Sequence, residues 1–141
     1  MSSIFRDELS LSWNTDDEVG VPEIDSEHRG IINAFNTFNE VIKNGFDNGH
    51  VSRVFDILSD YSCSHFKNEE AVMERYSYPD IDAHRSEHHS FIGKLECLKA
   101  RFDDGTDVRD DLYLFFRDWL LIHISTSDRR LGAFIRSPIP Q

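Results

Sequence analysis

One stretch decides the fold: residues 51–73 read VSRVFDILSDYSCSHFKNEEAVM. Its apolar residues recur every three or four positions, which is the period of one face of an α-helix. Two polar residues, His65 and Glu69, fall on that same face. The stretch therefore predicts a long helix that carries an imidazole and a carboxylate into the protein core. The predicted inward face comprises Val51, Val54, Phe55, Leu58, Tyr61, Ser62, His65, Phe66, Glu69, Val72 and Met73.

Three further helices are predicted around this stretch. The first is expected to begin near Asp25, a residue type that favours the N-cap, and to stop near Gly45. Tyr78-Pro79 separates the second helix from the third, and Asp104-Gly105-Thr106 separates the third from the fourth. Four helices with short connections favour an all-α, antiparallel up-down-up-down four-helix bundle. The inward faces are predicted to be Ile24, His28, Ile31, Ile32, Phe35, Phe38 and Ile42; His84, His88, Phe91, Ile92, Leu95, Leu98 and Phe102; and Val108, Leu112, Phe115, Phe116, Trp119, Leu120 and His123.

The 141 residues are expected to form a single domain. An irregular N-terminal arm is predicted over residues 1–22, the bundle over about 23–130 and a tail over 131–141. The tail contains Leu131, Phe134 and Ile135, which could pack on the bundle as a short segment. Its Pro-containing end suits either a linker to a further domain or a natural terminus.

Composition narrows the functional classes. The formal net charge of −11 argues against binding to nucleic acids or anionic membranes, because both require basic patches. No stretch approaches the ~18 apolar residues of a membrane span, and the first ten residues lack the apolar core of a signal peptide. Cys63 and Cys97 indicate no disulfide framework, although one bridge between helices stays open. We expect a protein of the reducing cytoplasm that does not insert into membranes.

Five of the seven histidines fall on predicted inward faces, and they come from all four helices. A buried imidazole is destabilising unless its nitrogens find partners, and a single one is usually satisfied by a hydrogen bond. Five such residues together with Glu69, whose buried charge requires a cation, favour a metal site instead. The candidate histidines are His28, His65, His84, His88 and His123.

The spacing of these residues supports a shared centre. His65 and Glu69 are four positions apart, as are His84 and His88, so each pair returns to the same helix face. His123 and Asp128 are five apart, which an unbroken α-helix would splay by roughly 140°. A helix end or a loosened turn is therefore needed to bring Asp128 back.

The ligand count is that of a two-metal site with one open position. Two octahedral metals offer about twelve positions; five histidines, two bridging carboxylates and one bridging oxo or hydroxo group fill all but one. The Glu-x-x-His pair of ferritin-like di-iron proteins and the His-Glu-x-x-His of zinc proteases are absent from the sequence. The vacancy would bind a small molecule.

Four other polar residues receive less specific interpretations. His89 points about 100° away from His88 and is expected to be exposed. His50 lies at a helix start and is expected at the surface. Glu70 is interpreted as solvated or as supporting a ligand, and Asp25 as a helix cap rather than as the support of a ligand.

Together these residues resemble the hemerythrin family, and specifically the bacterial hemerythrins. The resemblance covers roughly residues 13–130, and Leu131 departs from it because relatives often carry Tyr there. The matching residues are Trp13, Gly20-Val21, Ile24-Asp25, His28, His65-Phe66, Glu69-Glu70, Met73, Tyr78-Pro79, His84, His88, Phe91, Trp119, His123 and Asp128.

The resemblance implies two iron ions in a non-haem, oxo- or hydroxo-bridged centre. His84, His88 and His123 would ligate the saturated iron, and His28 and His65 the iron with the open position. Glu69 and Asp128 would bridge the two irons. Trp119 and Leu120 would form the wall of an oxygen pocket. Four phenylalanines would either extend that wall or serve as ordinary bundle packing: Phe35, Phe38, Phe66 and Phe116.

The implied function is the reversible binding of molecular oxygen for carriage, storage or delivery, without enzymatic catalysis. The alternative is an oxygen- or redox-sensing domain of a longer signalling protein. The corresponding partners are molecular oxygen and either an oxygen-using enzyme or a fused output domain. Peroxide or nitric oxide chemistry is a third possibility, and the ligand types alone suit manganese as well as iron.

Overall fold

A computed structural model describes residues 11–13, 15–45 and 47–137 of the chain. Within these ranges all regular structure is helical, beginning with a short 3₁₀ turn at Thr15–Asp17. The long helices are α1 (Pro22–Lys43), α2 (Asn48–Arg75), α3 (Ile81–Asp103) and α4 (109–136). The short connections 76–80 and 104–108 reverse the chain between neighbouring helices, and four residues separate α1 from α2. The antiparallel four-helix bundle predicted from the sequence is confirmed.

Helix α1 begins earlier than predicted, at Pro22, because the fixed φ of proline suits the first helical position. Asp25 consequently lies in the first turn and not at the N-cap. Its carboxylate accepts hydrogen bonds from the backbone N–H groups of Val19 (2.7 Å) and Gly20 (3.1 Å). The prediction that Asp25 caps α1 is therefore wrong: it ties the preceding arm to the helix.

The ends of α2 and α3 follow ordinary capping chemistry. The Asp47 side chain caps α2 by accepting a 2.8 Å hydrogen bond from the His50 backbone N–H. Helix α3 ends just before Gly105, whose φ of 93° lies in the left-handed region that glycine adopts without strain. These turns set the helix lengths and hence the level at which each side chain enters the core.

Helix α4 alternates between α-helical and π-helical turns. A π turn closes i→i+5 hydrogen bonds and so takes up an extra residue before the chain returns to the same face. The helix continues to Arg136, so residues 131–136 belong to α4 and Leu131 is fully buried. The α-helical segments are Arg109–Phe115, Leu121–His123 and Arg129–Arg136, and the π-helical segments are Phe116–Leu120 and Ile124–Asp128.

The predicted inward faces form the core, with few exceptions. Tyr61 is 39% exposed, and Val54, Ile92, Phe102 and Trp119 are half-buried. The side chain of Ile42, the arm 1–10 and the end 138–141 lie outside the described residues. Both cysteines are free. Among the described helices, none is long and apolar enough to cross a membrane.

Candidate metal centre

Seven polar side chains from all four helices converge inside the bundle. None of them is more than 4% exposed. They form two clusters, each with ligand atoms within 4.8 Å of one another. Helix α1 contributes His28, α2 contributes His65 and Glu69, α3 contributes His84 and His88, and α4 contributes His123 and Asp128.

The histidines divide into a three-histidine group (His84, His88 and His123) and a two-histidine group (His28 and His65). Glu69 and Asp128 belong to both clusters. A carboxylate that serves two clusters can bridge two metal ions through its two oxygens. The structure thus brings together all seven residues that the sequence singled out as metal ligands.

Oε1 of Glu69 and Oδ1 of Asp128 face the three-histidine group. Glu69 Oε1 is 2.9 Å from Nε2 of both His84 and His88. Asp128 Oδ1 is 2.9 Å from His84 Nε2 and 3.0 Å from His123 Nε2. These short contacts leave both carboxylates with their second oxygen turned elsewhere.

The second oxygens face the two-histidine group. Asp128 Oδ2 is 2.9 Å from His28 Nε2, while Glu69 Oε2 lies 3.9 Å from His28 Nε2 and 3.6 Å from His65 Nε2. Each carboxylate therefore directs one oxygen to each group, which is the arrangement that a bridging ligand requires.

The π turn Ile124–Asp128 explains how His123 and Asp128 reach the same centre. In an α-helix, five residues rotate the chain well past a full turn, but the wider π turn returns after about five. The loosened turn that the spacing required is present in α4.

Several ligand atoms are buried without a hydrogen-bond partner among the described residues. His28 Nε2 is such an atom even though it lies 2.9 Å from Asp128 Oδ2, because that contact lacks hydrogen-bond geometry. An unsatisfied buried polar atom destabilises a protein by roughly 1–3 kcal/mol. Imidazole and carboxylate donors in this number suit iron and related divalent ions, so the residues fit a pair of metals. The other such ligand atoms are His123 Nε2, Glu69 Oε2 and both carboxylate oxygens of Asp128.

The electrostatics of the cluster favour positive charge at its centre. Burial and the neighbouring Asp128 act to raise the pKa of Glu69, but hydrogen bonds from His84 and His88 outweigh them and bring its pKa to about 2. Burial likewise acts to lower the pKa of His84, yet the carboxylates of Asp128 and Glu69, each 2.9 Å from its Nε2, raise it to about 10. Without a metal, a proton on His84 offsets part of the charge of the two carboxylates.

Comparison with known proteins identifies the family. The model of the hemerythrin HHE cation binding domain matches residues 19–135. The chain belongs to the hemerythrin family. The bacteriohemerythrin of Stenotrophomonas maltophilia (strain R551-3) is 33% identical over 131 residues, which is 93% of this chain and 85% of that protein. Myohemerythrin-1 of Phascolopsis gouldii is 31% identical over 117 residues, covering 82% of this chain and 87% of that protein.

The fold comparison agrees. A crystal structure of wild-type hemerythrin matches with a TM-score of 0.82 and 29% identity, over 90% of this chain and 98% of that one. The resemblance noted from the sequence is therefore confirmed. Membership of the hemerythrin family implies oxygen binding at a di-iron site, which is the function predicted from the sequence. The structure contains the corresponding cluster of histidine and carboxylate metal ligands.

Three glutamates orient ligand histidines from outside. The Nδ1–H of His65 donates to Glu27 (2.7 Å) and that of His123 to Glu87 (2.6 Å). His88 pairs with Glu70 in the same way at 2.8 Å, so Glu70 takes the supporting role that the sequence had left open. Such bonds fix the tautomer and direct the Nε2 lone pair to the centre.

Sequence reasoning missed Glu27 and Glu87, although a signal exists. Each supporting glutamate is a chain neighbour of a ligand: Glu27 precedes His28, Glu70 follows Glu69 and Glu87 precedes His88. Each one nevertheless serves a ligand on a different helix, and this cross-pairing depends on how the helices are rotated against one another.

Aromatic rings pack against the three-histidine group. Phe66 stacks on His88 with ring centroids 4.1 Å apart, and Trp119 stacks on His123 at 4.8 Å. Leu120, the next residue along α4, is buried at 1% exposure. Phe35, Phe38 and Phe116 contact other phenylalanines instead: Phe35 stacks on Phe116, and Phe38 meets Phe55 edge-on.

The remaining histidines stay outside both clusters. His89 is exposed, as predicted. His50 is half-buried in the first turn of α2, where its backbone N–H meets the capping Asp47. Among the residues that the structure describes, neither belongs to a group that could hold a metal ion.

Proposed function

We propose that this chain binds molecular oxygen reversibly at two irons held by the seven converging residues. The observation that carries this proposal is the division of the shared carboxylates, which direct one oxygen each to both histidine groups. His84, His88 and His123 would hold one iron, His28 and His65 the other, and Glu69 and Asp128 would bridge them.

The unequal donor sets explain where oxygen would bind. The three-histidine group offers five donors counting the shared carboxylates, whereas the two-histidine group offers four. With an oxo or hydroxo bridge, six donors complete an octahedron at the first position and leave one place open at the second. The pair of ferrous ions would supply the electrons and the open coordination place that reversible oxygen binding needs.

The residues around the centre would keep water away from it. Phe66 and Trp119 cover the imidazoles of His88 and His123, and Leu120 is buried on the same helix as Trp119. Trp119 and Leu120 would form the wall of the oxygen pocket. Apolar walls exclude water and stray protons, which protects a bound oxygen species from side reactions. Such a role requires no acid or base from the wall, consistent with a binding protein rather than an enzyme.

The test is anaerobic purification, metal counting and visible spectroscopy during the admission of oxygen. We expect about two irons per chain and an absorption change that reverses when oxygen is removed. His65→Ala should impair iron loading or oxygen binding, and His89→Ala, which alters an exposed histidine of α3, is the matched control. Absence of iron, or no spectral response to oxygen, would contradict the proposal.

Carriage and sensing make different predictions in the same experiment. A long-lived oxygen complex favours carriage or delivery, whereas rapid conversion to the oxidised protein favours sensing. An oxygen-using enzyme or a fused output domain as partner, and the cytoplasmic location, stay predictions.

A further inference from the structure

A pocket between α1 and α2 opens beside the metal centre. It has a volume of about 230 Å³, and its lining includes Glu23, Glu27, Asn68 and Arg75. Glu69 also lines it. This carboxylate is completely buried and shared by both histidine groups, and its Oε2 has no hydrogen-bond partner among the described residues. The pocket therefore borders a ligand residue whose buried Oε2 lacks a partner.

The charges of the pocket favour a cation over molecular oxygen, the other small solute that the centre would bind. Glu23, Glu27 and Glu69 contribute three carboxylates against the guanidinium of Arg75, which lies 3.6 Å from Glu23. The Glu23 and Arg75 side chains are both more than 60% exposed, so this pair is well solvated. Clefts lined by one sign of charge raise the local concentration and association rate of oppositely charged solutes. Neutral oxygen gains nothing from such a field.

Glu27 lies between the pocket and the two-histidine group. Its Oε1 accepts from His65 Nδ1 and its Oε2 from Asn68 Nδ2, both at 2.7 Å. Glu27 also lines a second pocket of about 230 Å³, together with Tyr61, Ser64 and His65. Its side chain is 29% exposed, so its carboxylate is accessible from the surface.

We propose that divalent cations load into the centre through this α1–α2 pocket, passing from Glu23 and Glu27 to Glu69 and the two-histidine group. This inference rests on the proposed function, because it assumes that the seven residues hold metal. Only oxygen ligands are exchanged along the route until the cation meets the imidazoles. No covalent or redox step is required.

The test measures the rate at which metal-free protein takes up Co²⁺, followed by visible absorption, with Fe²⁺ under anaerobic conditions as a second probe. Glu23→Lys places a positive charge in the pocket without touching any ligand. Glu40→Lys is the matched control, because Glu40 is exposed on the same helix. Seventeen residues along an α-helix separate the two positions by about 25 Å. Both variants change the net charge equally, so only the local field differs.

We expect Glu23→Lys to slow uptake by about tenfold and Glu40→Lys to leave it nearly unchanged. Arg75→Gln removes the guanidinium from the pocket lining and should accelerate uptake. Because a lysine in the first turn of α1 opposes the helix dipole, the neutral pair Glu23→Gln and Glu40→Gln repeats the comparison with a smaller perturbation. Added salt should reduce the difference between the variants of each pair.

Uptake by Glu23→Lys at the wild-type rate would overturn the route, and so would an equal slowing by Glu40→Lys. The final metal content separates this result from a failure of the proposed function. If the variants reach the wild-type content at altered rates, the route is supported. If wild-type protein binds no metal, the seven residues do not form a metal centre, and both the proposed function and the loading route are wrong.

Discussion

The three-histidine and two-histidine groups share both carboxylates, yet the rest of the bundle supports them differently. In the first group, His88 and His123 each have a glutamate at Nδ1 and an aromatic ring stacked on the imidazole. In the second, His65 has a glutamate, but His28 Nδ1 is buried without a partner among the described residues. The pocket that borders Glu69 is also lined by Glu27, the partner of His65, and so lies beside the second group.

This difference shows how one centre can hold one metal ion tightly and still leave the other position open to exchange. Outer hydrogen bonds and stacked rings hold a ligand in one orientation, which favours tight and lasting coordination. A ligand set with fewer donors and a polar pocket alongside is better suited to exchange. We therefore expect the first group to retain its metal. The second group should bind and release its metal more readily and should offer the open coordination place.

The largest loss of metal should come from removing a carboxylate that both groups share. Asp128→Ala takes an oxygen from each position, so we expect the metal content to fall from about two ions per chain to nearly none. Mass-spectrometric metal analysis after dialysis measures this directly. Ser125→Ala alters an exposed residue in the same π turn and should keep the full content. Retention of one tightly bound metal by Asp128→Ala would show that the carboxylate serves a single position.

A smaller loss of metal is expected when a ligand of the two-histidine group alone is replaced. His28→Ala leaves the three-histidine group with all its donors, so about one metal per chain should remain. His89→Ala, an exposed neighbour of the first group, should retain both. If His28→Ala lost both ions, the two positions would depend on each other, and the two groups would not differ in how firmly they hold metal.

Much of this arrangement could be predicted from sequence, because helical periodicity places residues four apart on one face. That rule alone puts His65 with Glu69, and His84 with His88, on inward faces of their helices. It could not place Asp128, since the π turn that brings it to the centre leaves no simple mark in the sequence. The N-cap preference also misplaced Asp25, because a proline can begin a helix ahead of an acceptable cap.

The supporting glutamates lay beyond prediction for a different reason. Which glutamate meets which imidazole depends on the relative rotation and height of two packed helices. Periodicity within one helix carries no information about either. The pairing of Glu87 on α3 with His123 on α4 is an example, and it is strengthened by a 2.7 Å hydrogen bond from Ser127 to Glu87.

Removing one outer support should weaken metal binding without abolishing it. Glu87→Gln keeps the shape of the side chain but removes the charge that orients His123, so we expect metal affinity to fall by about 10- to 100-fold. Competition with a chelator of known affinity measures the change. Glu96→Gln, an exposed residue of the same helix, is the matched control. An unchanged affinity would mean that stacking on Trp119 suffices to hold His123.

The smallest effect concerns the metal-free protein and its dependence on pH. Burial acts to lower the pKa of His84, but the adjacent carboxylates of Asp128 and Glu69 outweigh it and raise that pKa to about 10. Between the ordinary imidazole pKa and that value, the folded chain binds a proton that the unfolded chain releases, so its free energy of unfolding should decrease as pH rises from about 7 to 9. Urea unfolding at several pH values measures this slope.

With metals bound, the same slope should be absent, because a metal then replaces the proton at His84 Nε2 and offsets the carboxylate charges. The metal-loaded protein is thus the control, and its stability should be nearly constant over this pH interval. Equal slopes for the two forms would place the titrating groups elsewhere in the protein. A metal-free protein with no slope would show that Glu69 and Asp128 are neutralised by something other than a proton on His84, and the electrostatic account of the three-histidine group would need to be replaced.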